Sequence, residues 1–303
     1  MPEVGITTPI RILLSTIFIV MFAHFSTAQE IPSDYQQVMK IVGKQGDYKA
    51  NVLKVNIPRN DLHMKIAGYA VPTPFGFGGW LAMEKSDGGE DVVMGDLVLT
   101  QGEVNQVMSA LLEHGIEITA LHNHFLWDEP RVFFMHIHGH GKAVDLANQI
   151  KPALDLIGLA KQGEENAVPK PKQGTTLDTE RIAKIVGHAG EQSGPVYKIT
   201  LARDDLNLKD MGATINARMG LNTWAAFVGT NADAAVAGDI AMLENEVNPV
   251  LKALRSNGLD VVAIHHHMIN TQPMIIFLHY WARGTSEKLA TGFKAAVDQL
   301  GKK

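Results

Sequence analysis

The sequence predicts an α+β protein built by internal duplication, two similar halves related by a pseudo-twofold. Three observations carry this. Apolar periodicities of 3.6 and 2 alternate along the chain, with no long run of either. The order of segments in the first half returns in the second. Residues that rarely coincide by chance recur at a fixed offset: Gly68, Trp80, Gly95-Asp96, Glu103, Gly115, His122, Pro130, His136 and Gly141 match Gly212, Trp224, Gly238-Asp239, Glu246, Gly258, His265, Pro273, His279 and Gly284. The offset is 144 up to the tryptophan and 143 after it. Each half reads roughly α-β-β-β-α-β-β-α.

The elements follow in order. Arg11 followed by a short apolar run, with Ser26-Thr27-Ala28 before Gln29, reads as a signal peptide over residues 1–28. The run is short of the roughly 20 residues that a membrane span needs. Cleavage would leave no transmembrane anchor, and export to the periplasm or the medium is expected. The first repeat, residues 29–160, opens with a helix over 31–43, where Tyr35, Val38, Met39 and Val42 share a face. A strand over 48–58 sets Val52, Lys54 and Asn56 against Leu53, Val55 and Ile57. Residues 68–80, rich in Gly and Pro, form an irregular loop suited to a lid or a binding segment. Strands are expected over 80–84 and 92–100.

Residues 101–114 carry Val104, Val107, Met108, Leu111 and Leu112 on one helical stripe. Thr100 and Glu103 fit a capping box. A strand over 116–125 and another over 132–138 flank a turn, in which Asp128 and Glu129 read as solvated. A helix over 141–157 contains Pro152. Residues 161–176 lack apolar periodicity and read as the linker. The second repeat, 177–303, repeats the plan from a helix over 178–186 and a strand over 196–202.

The 303 residues are 46% hydrophobic and 19% charged, which suits a globular chain of about two domains. With a net charge of −5 and no clustered Lys or Arg, no nucleic-acid partner is expected. There are 0 cysteines, so thiolate ligands, thiol nucleophiles and disulfides are excluded.

Histidine carries the chemistry. Nine of the 13 histidines fall in two windows, 122–140 and 265–279. A His-x-His pair on a strand puts two imidazoles on one face, roughly 7 Å apart at Cα. A third histidine from a neighbouring strand completes a facial set, a geometry known for zinc. Imidazole also suits copper, nickel and iron. The expected ligands to a divalent metal are His122, His124, His136 and His138 in the first half, and His265, His267 and His279 in the second. Strand alternation places Ile118 and Ala120 on the face of His122, and Val261 and Ala263 on that of His265. In the second copy Trp281 replaces His138. The sequence leaves open whether the copies form two sites or one shared pocket, and it does not set the oligomeric state.

Glu103 and Glu246 are the candidate catalytic carboxylates. Leu243 stands where Thr100 did, so the glutamate persists where the Thr of the capping box is gone. That suggests a general base for a metal-bound water. Asp96 and Asp239 read first as turn residues, and Trp80 and Trp224 as core. No Walker or GxGxxG pattern is present, so no phosphate-binding loop is expected.

The GDLVLT segment from Gly95, the stretch HNHFLWDEPRVFFMHIHGHG from His122 and its repeat HHHMINTQPMIIFLHYWARG from His265 resemble the LppY/LpqO-type family of exported bacterial proteins, a family of unknown function. The resemblance covers nearly the whole mature chain. It implies export and a common fold and supplies no catalytic residues. The lipid anchor of the family's mycobacterial members does not carry over, because there is no cysteine here. Three readings follow: a metal-dependent enzyme, hydrolytic in character; a non-catalytic periplasmic metal-binding or buffering protein; and a metal-free cell-envelope module for a small-molecule or glycan ligand.

Overall fold

The computed structural model describes residues 29–159 and 177–302. The expected signal peptide and all of the expected linker lie outside the described residues. The first half runs α1 (Ser33–Val42), β1 (Gly46–Lys49), β2 (Val52–Pro58), β3 (Met64–Ile66), β4 (Tyr69–Val71), β5 (Gly78–Lys85), β6 (Asp91–Thr100), α2 (Val104–Glu113), β7 (Glu117–His122), β8 (Asp128–Glu129), β9 (Val132–Gly141) and α3 (Ala143–Leu154). The second runs α4 (Thr179–Val186), β10 (Glu191–Ser193), β11 (Val196–Ala202), β12 (Lys209–Asp210), β13 (Ala213–Thr214), β14 (Asn222–Gly229), β15 (Ala234–Met242), α5 (Glu244–Ser256), β16 (Asp260–His265), β17 (Ile276–Gly284) and α6 (Ser286–Val297).

Each half forms one six-stranded sheet, ordered β1-β2-β5-β6-β9-β7 and β10-β11-β14-β15-β17-β16. All the pairings in both sheets are antiparallel. The expected α+β duplication is what the fold has. A short edge strand and a small three-stranded sheet, β4-β3-β8, are additions to the plan.

Alternation along each strand sends one set of side chains to each face. The outward set of the first sheet, with Leu53, Val55, Leu81, Val93 and Ile137, packs under α1, α2 and α3. Ile199, Phe227, Val236 and Tyr280 pack likewise under α4, α5 and α6. The inward sets meet each other. Val98, Val132 and Phe134 share a core with Ala226, Ala235 and Trp281, and Val92 and Met94 share another with Ile215 and Phe277. The molecule is therefore four layers deep: helices, sheet, sheet, helices. Face-to-face packing of two sheets accounts for the mixed cores, and the described residues from Ile31 onward form one unit.

Two details differ from the alternation expected along β7 and β16. Ile118 pairs with Ile137 but Ala120 pairs with His136, so the register shifts at Thr119. The same shift falls between Val261 and Ala263. A bulge adds one residue to one strand and reverses the phase beyond it. Ile118 and Val261 consequently face the helices, while Ala120, His122, Ala263 and His265 face the opposite sheet. Asp128 also departs from expectation. It is buried, and its Oδ2 accepts from the Val132 N–H at 2.8 Å.

Candidate metal centre

One cross-strand row explains how the site is built. On the inner face of the first sheet, Trp80 lies opposite Asp96, Asp96 opposite His136, and His136 opposite Ala120. The second sheet repeats the row as Trp224, Asp239, His279 and Ala263. The small alanines leave room beside the imidazoles. His122 and His265 end β7 and β16, and His124 and His267 follow two residues on. The side-chain amide of Asn123 pins the first connection by donating to the Val132 carbonyl at 2.9 Å.

Because the two inner faces oppose each other, the two sets merge. His122 stacks on His265 with ring centroids 3.6 Å apart, while His124 meets His279 at 3.7 Å and His136 meets His267 at 3.8 Å, these last two pairs each tilted by 31°. Every one of these pairs joins the two halves. The ring of His124 also lies flat on Phe134 at 3.3 Å, and that of His267 on Phe277 at 3.5 Å. The Thr119 hydroxyl donates across the seam to the His267 carbonyl at 2.6 Å. Six of the seven expected ligands thus form one cluster across the seam.

The ligand atoms converge. His122, His124 and His279 offer nitrogens within 4.8 Å of one another, and so do His122, His136 and His265. His122 Nε2 and His136 Nε2 face each other at 2.9 Å. Two nitrogens on one ion, at bonds of about 2.0–2.1 Å, stand about 3 Å apart. The outer nitrogens face backbone carbonyls: His279 Nδ1 lies 3.3 Å from the Gly238 oxygen and His265 Nδ1 lies 3.1 Å from the His266 oxygen. Nδ1–H donated to a carbonyl leaves Nε2 as the lone pair, the tautomer a metal requires. His265 Nε2, His279 Nε2 and both ring nitrogens of His124 and His267 are buried without a hydrogen-bond partner. Orphaned polar atoms this numerous are costly unless something binds them.

Electrostatics favours the neutral, ligating form. Burial first, and then the neighbouring imidazole of His265, pushes His122 down to about 3. Burial likewise pushes His265 down to about 4. His124, His136, His267 and His279 are held well below the usual histidine range for the same reasons.

His138 does not join them. It is on the inner face as expected, but one pair further along β9. Its Nε2 lies 2.9 Å from Asp210 and its Nδ1 3.5 Å from Glu117. Burial would lower its pKa, but the Asp210 hydrogen bond and charge, with Glu117, outweigh burial and raise it. Its acidic partners and its place along β9 set His138 apart from the cluster.

Glu103 and Glu246 are also elsewhere. Glu103 pairs with the buried Arg59 guanidinium at 2.7 Å and accepts from the N–H groups of Thr100 and Gly158, both at 2.7 Å. Glu246 pairs with Arg203 at 3.1 Å and accepts from the Leu243 N–H at 2.7 Å. Burial acts to raise the Glu103 pKa, and Arg59 with the two N–H donors overcomes it and holds the carboxyl below its usual range. These carboxylates close helix starts and bind arginine. The general-base role expected for them is set aside on this geometry, and their persistence in both halves follows from the persistence of Arg59 and Arg203.

The carboxylates beside the histidines are Asp96 and Asp239, both buried with Oδ1 unpartnered. Asp239 Oδ2 lies 3.7 Å from His267 Nε2. Burial raises Asp96 to about 8, against the pull of Lys54. Burial and then Asp96 raise Asp239 well above the usual carboxylate range. Both Asp residues line a cavity of about 200 Å³ with Lys54, Lys198, Trp80, Trp224, His124 and His267. The Gly-rich loop contributes Pro74, Gly76 and Gly78 to its wall. Sequence reasoning passed over the two lysines. The signal was present, since Lys54 and Lys198 stand 144 apart at inward strand positions.

The fold and the cluster define a class: a duplicated two-sheet sandwich with a histidine centre on its pseudo-twofold seam. The chain belongs to the family DUF1529, described as a Domain of Unknown Function (DUF1259), whose model matches twice, over residues 36–156 and 180–299. No curated protein matches the chain by sequence. Among solved structures it is similar to a trimeric bacterial microcompartment shell protein, PduB, at 12% identity, covering 84% of this chain and 90% of that one with a TM-score of 0.22. It is also similar to the fused permuted hexameric shell protein MSM0275 from the RMM microcompartment, at 13% identity, 71% and 85% coverage and a TM-score of 0.19. Similarity this slight bears on neither fold nor function.

Proposed function

We propose that this chain is an exported metal-binding protein whose clustered histidines hold a divalent transition ion, through a three-histidine set, at the seam between its halves. The observation that carries the reading is the convergence of buried imidazole nitrogens, with those of His124, His267, His265 Nε2 and His279 Nε2 lacking a hydrogen-bond partner. Zinc is the first candidate, because an all-imidazole set with no thiolate suits it; copper, nickel and iron suit the same donors. Export rests on the signal-like segment 1–28 and on the resemblance to LppY/LpqO-type proteins. The cavity against His124 and His267 favours a working centre, hydrolytic in character, over a closed buffering one, since a three-histidine face leaves coordination positions for water or substrate.

The test is elemental analysis of the purified, metal-replete protein beside two double variants, His122→Ala/His124→Ala and His265→Ala/His267→Ala. A shared centre predicts that either variant loses all of the metal. Loss of half in each would indicate two independent sites, and absence of metal from the wild type would end the reading.

A further inference from the structure

Lys54 and Lys198 come from equivalent strands of the two halves and meet in one place. Both line the inner cavity against the histidines, and both line a second cavity of about 420 Å³ that Arg218 and Thr200 also border. They therefore stand where the outer cavity gives onto the inner one. Each ammonium lies over the tryptophan of its own half, Lys54 at 4.5 Å from the Trp80 ring and Lys198 at 4.2 Å from the Trp224 ring. Neither has a carboxylate within ion-pair reach among the described residues. The Nζ of Lys54 has a long contact of 3.4 Å to the Arg218 carbonyl. Burial first, then Lys198 and Arg218, push Lys54 down to about 8 against Asp47 and Asp96; burial pushes Lys198 down to about 8 against Asp239 and Glu191.

Two partly buried ammonium groups set side by side without a direct ion pair are costly, and the two carboxyls that share their cavity, Asp96 and Asp239, are themselves pushed up by burial, toward the uncharged form. The cost is offset when an anion sits between them. Ring faces hold each ammonium in position, and the three cations at the mouth, Lys54, Lys198 and Arg218, outnumber its one acid, Glu191, which raises the local concentration of anions. We infer that the inner cavity takes a small oxyanion, a carboxylate or a phosphate, held between Lys54 and Lys198 with its other end toward the histidine centre. The volume admits a molecule of a few heavy atoms and excludes a polymer chain. The inference deepens the metal reading, on which it rests for the role of the far end of the ligand but not for the lysine clamp.

The experiment is calorimetric titration of the full chain, zinc-loaded and zinc-stripped, with inorganic phosphate and with malonate, following tryptophan emission in parallel. Wild type, Lys54→Met, Lys198→Met and Lys54→Arg are compared, with zinc content and thermal midpoint measured for each. The expected result is binding of at least one probe by the wild type. Each Met variant should weaken it tenfold or more with zinc content unchanged, and Lys54→Arg should retain most of it. Tighter binding to the zinc-loaded form is expected. Failure of the wild type to bind either probe, or wild-type affinity in both Met variants, would overturn the proposal. So would loss of zinc in the Met variants, which would make the lysines supports of the centre. Anion binding that needs the lysines in a protein that never holds metal would uphold the clamp and remove the metal reading.

Discussion

A buried imidazole responds to pH in a direction fixed by its surroundings. The six clustered histidines bind no proton in the folded, metal-free chain until the pH falls far below the ordinary histidine value near 6.5. The unfolded chain takes up protons from about that pH downward. Between the two, the unfolded state holds more protons, so stability falls as pH falls. The window runs from about 6.5 down to the folded values of His265 and His122, about 4 and about 3. The metal-free protein should therefore lose thermal midpoint steadily from pH 7 to pH 4, and His122→Ala/His124→Ala should show a shallower slope. Equal slopes in thermal melts across that range would refute the account. The carboxylates give a second residue-scale expectation. Glu103→Gln removes one partner of a buried ion pair and should cost about 3–5 kcal/mol in denaturant unfolding, while zinc content stays at the wild-type level. A folded Glu103→Gln protein without metal would restore the glutamate to the site. The histidines were legible because their pattern repeats. The role of Glu103 was not, because Arg59, its partner, lies far away in sequence and only the fold brings the two together.

At the scale of elements, the strands and helices follow from apolar periodicity, and the bulges at Thr119 and between Val261 and Ala263 do not. A bulge leaves no mark in composition, yet it decides which of Ile118 and Ala120 faces the seam. The irregular loops were legible as loops and not as walls. Their placement depends on contacts between halves: a Cβ on Gly220 would meet the Trp80 ring at 3.2 Å and His267 Nδ1 at 3.5 Å, and one on Gly76 would meet Trp224 at 3.7 Å. Gly220 also has φ +100°, in the left-handed region that favours glycine. Gly220→Ala should accordingly destabilise the chain by about 1–3 kcal/mol and displace Trp80 into the cavity. Tryptophan emission and the melt together check this, and a Gly220→Ala protein matching the wild type in both would count against the close approach.

At the scale of the molecule, duplication explains why the centre exists. One half contributes His122, His124 and His136, and its mate contributes His265, His267 and His279. The closest histidine–histidine ring contacts, His122–His265, His124–His279 and His136–His267, all cross the seam, and two of the four cores mix residues from both sheets. A half taken alone would leave Val98, Val132 and Phe134 facing water, an apolar sheet face of the kind that associates. The same face on a second copy is self-complementary in outline, because the pseudo-twofold of the whole chain becomes a true twofold in a dimer of one half. Residues 29–159 expressed alone should therefore run as a dimer on gel filtration, not as a monomer. That dimer should recover divalent metal, because two copies supply two sets of His122, His124 and His136. The expected stoichiometry is one centre per dimer, read by elemental analysis of the dimer peak. His122→Ala/His124→Ala in this half should abolish metal without dissolving the dimer, since the apolar faces and not the imidazoles drive association. A stable metal-binding monomer of this half would mean that each repeat carries a complete site and that the seam is only a packing interface.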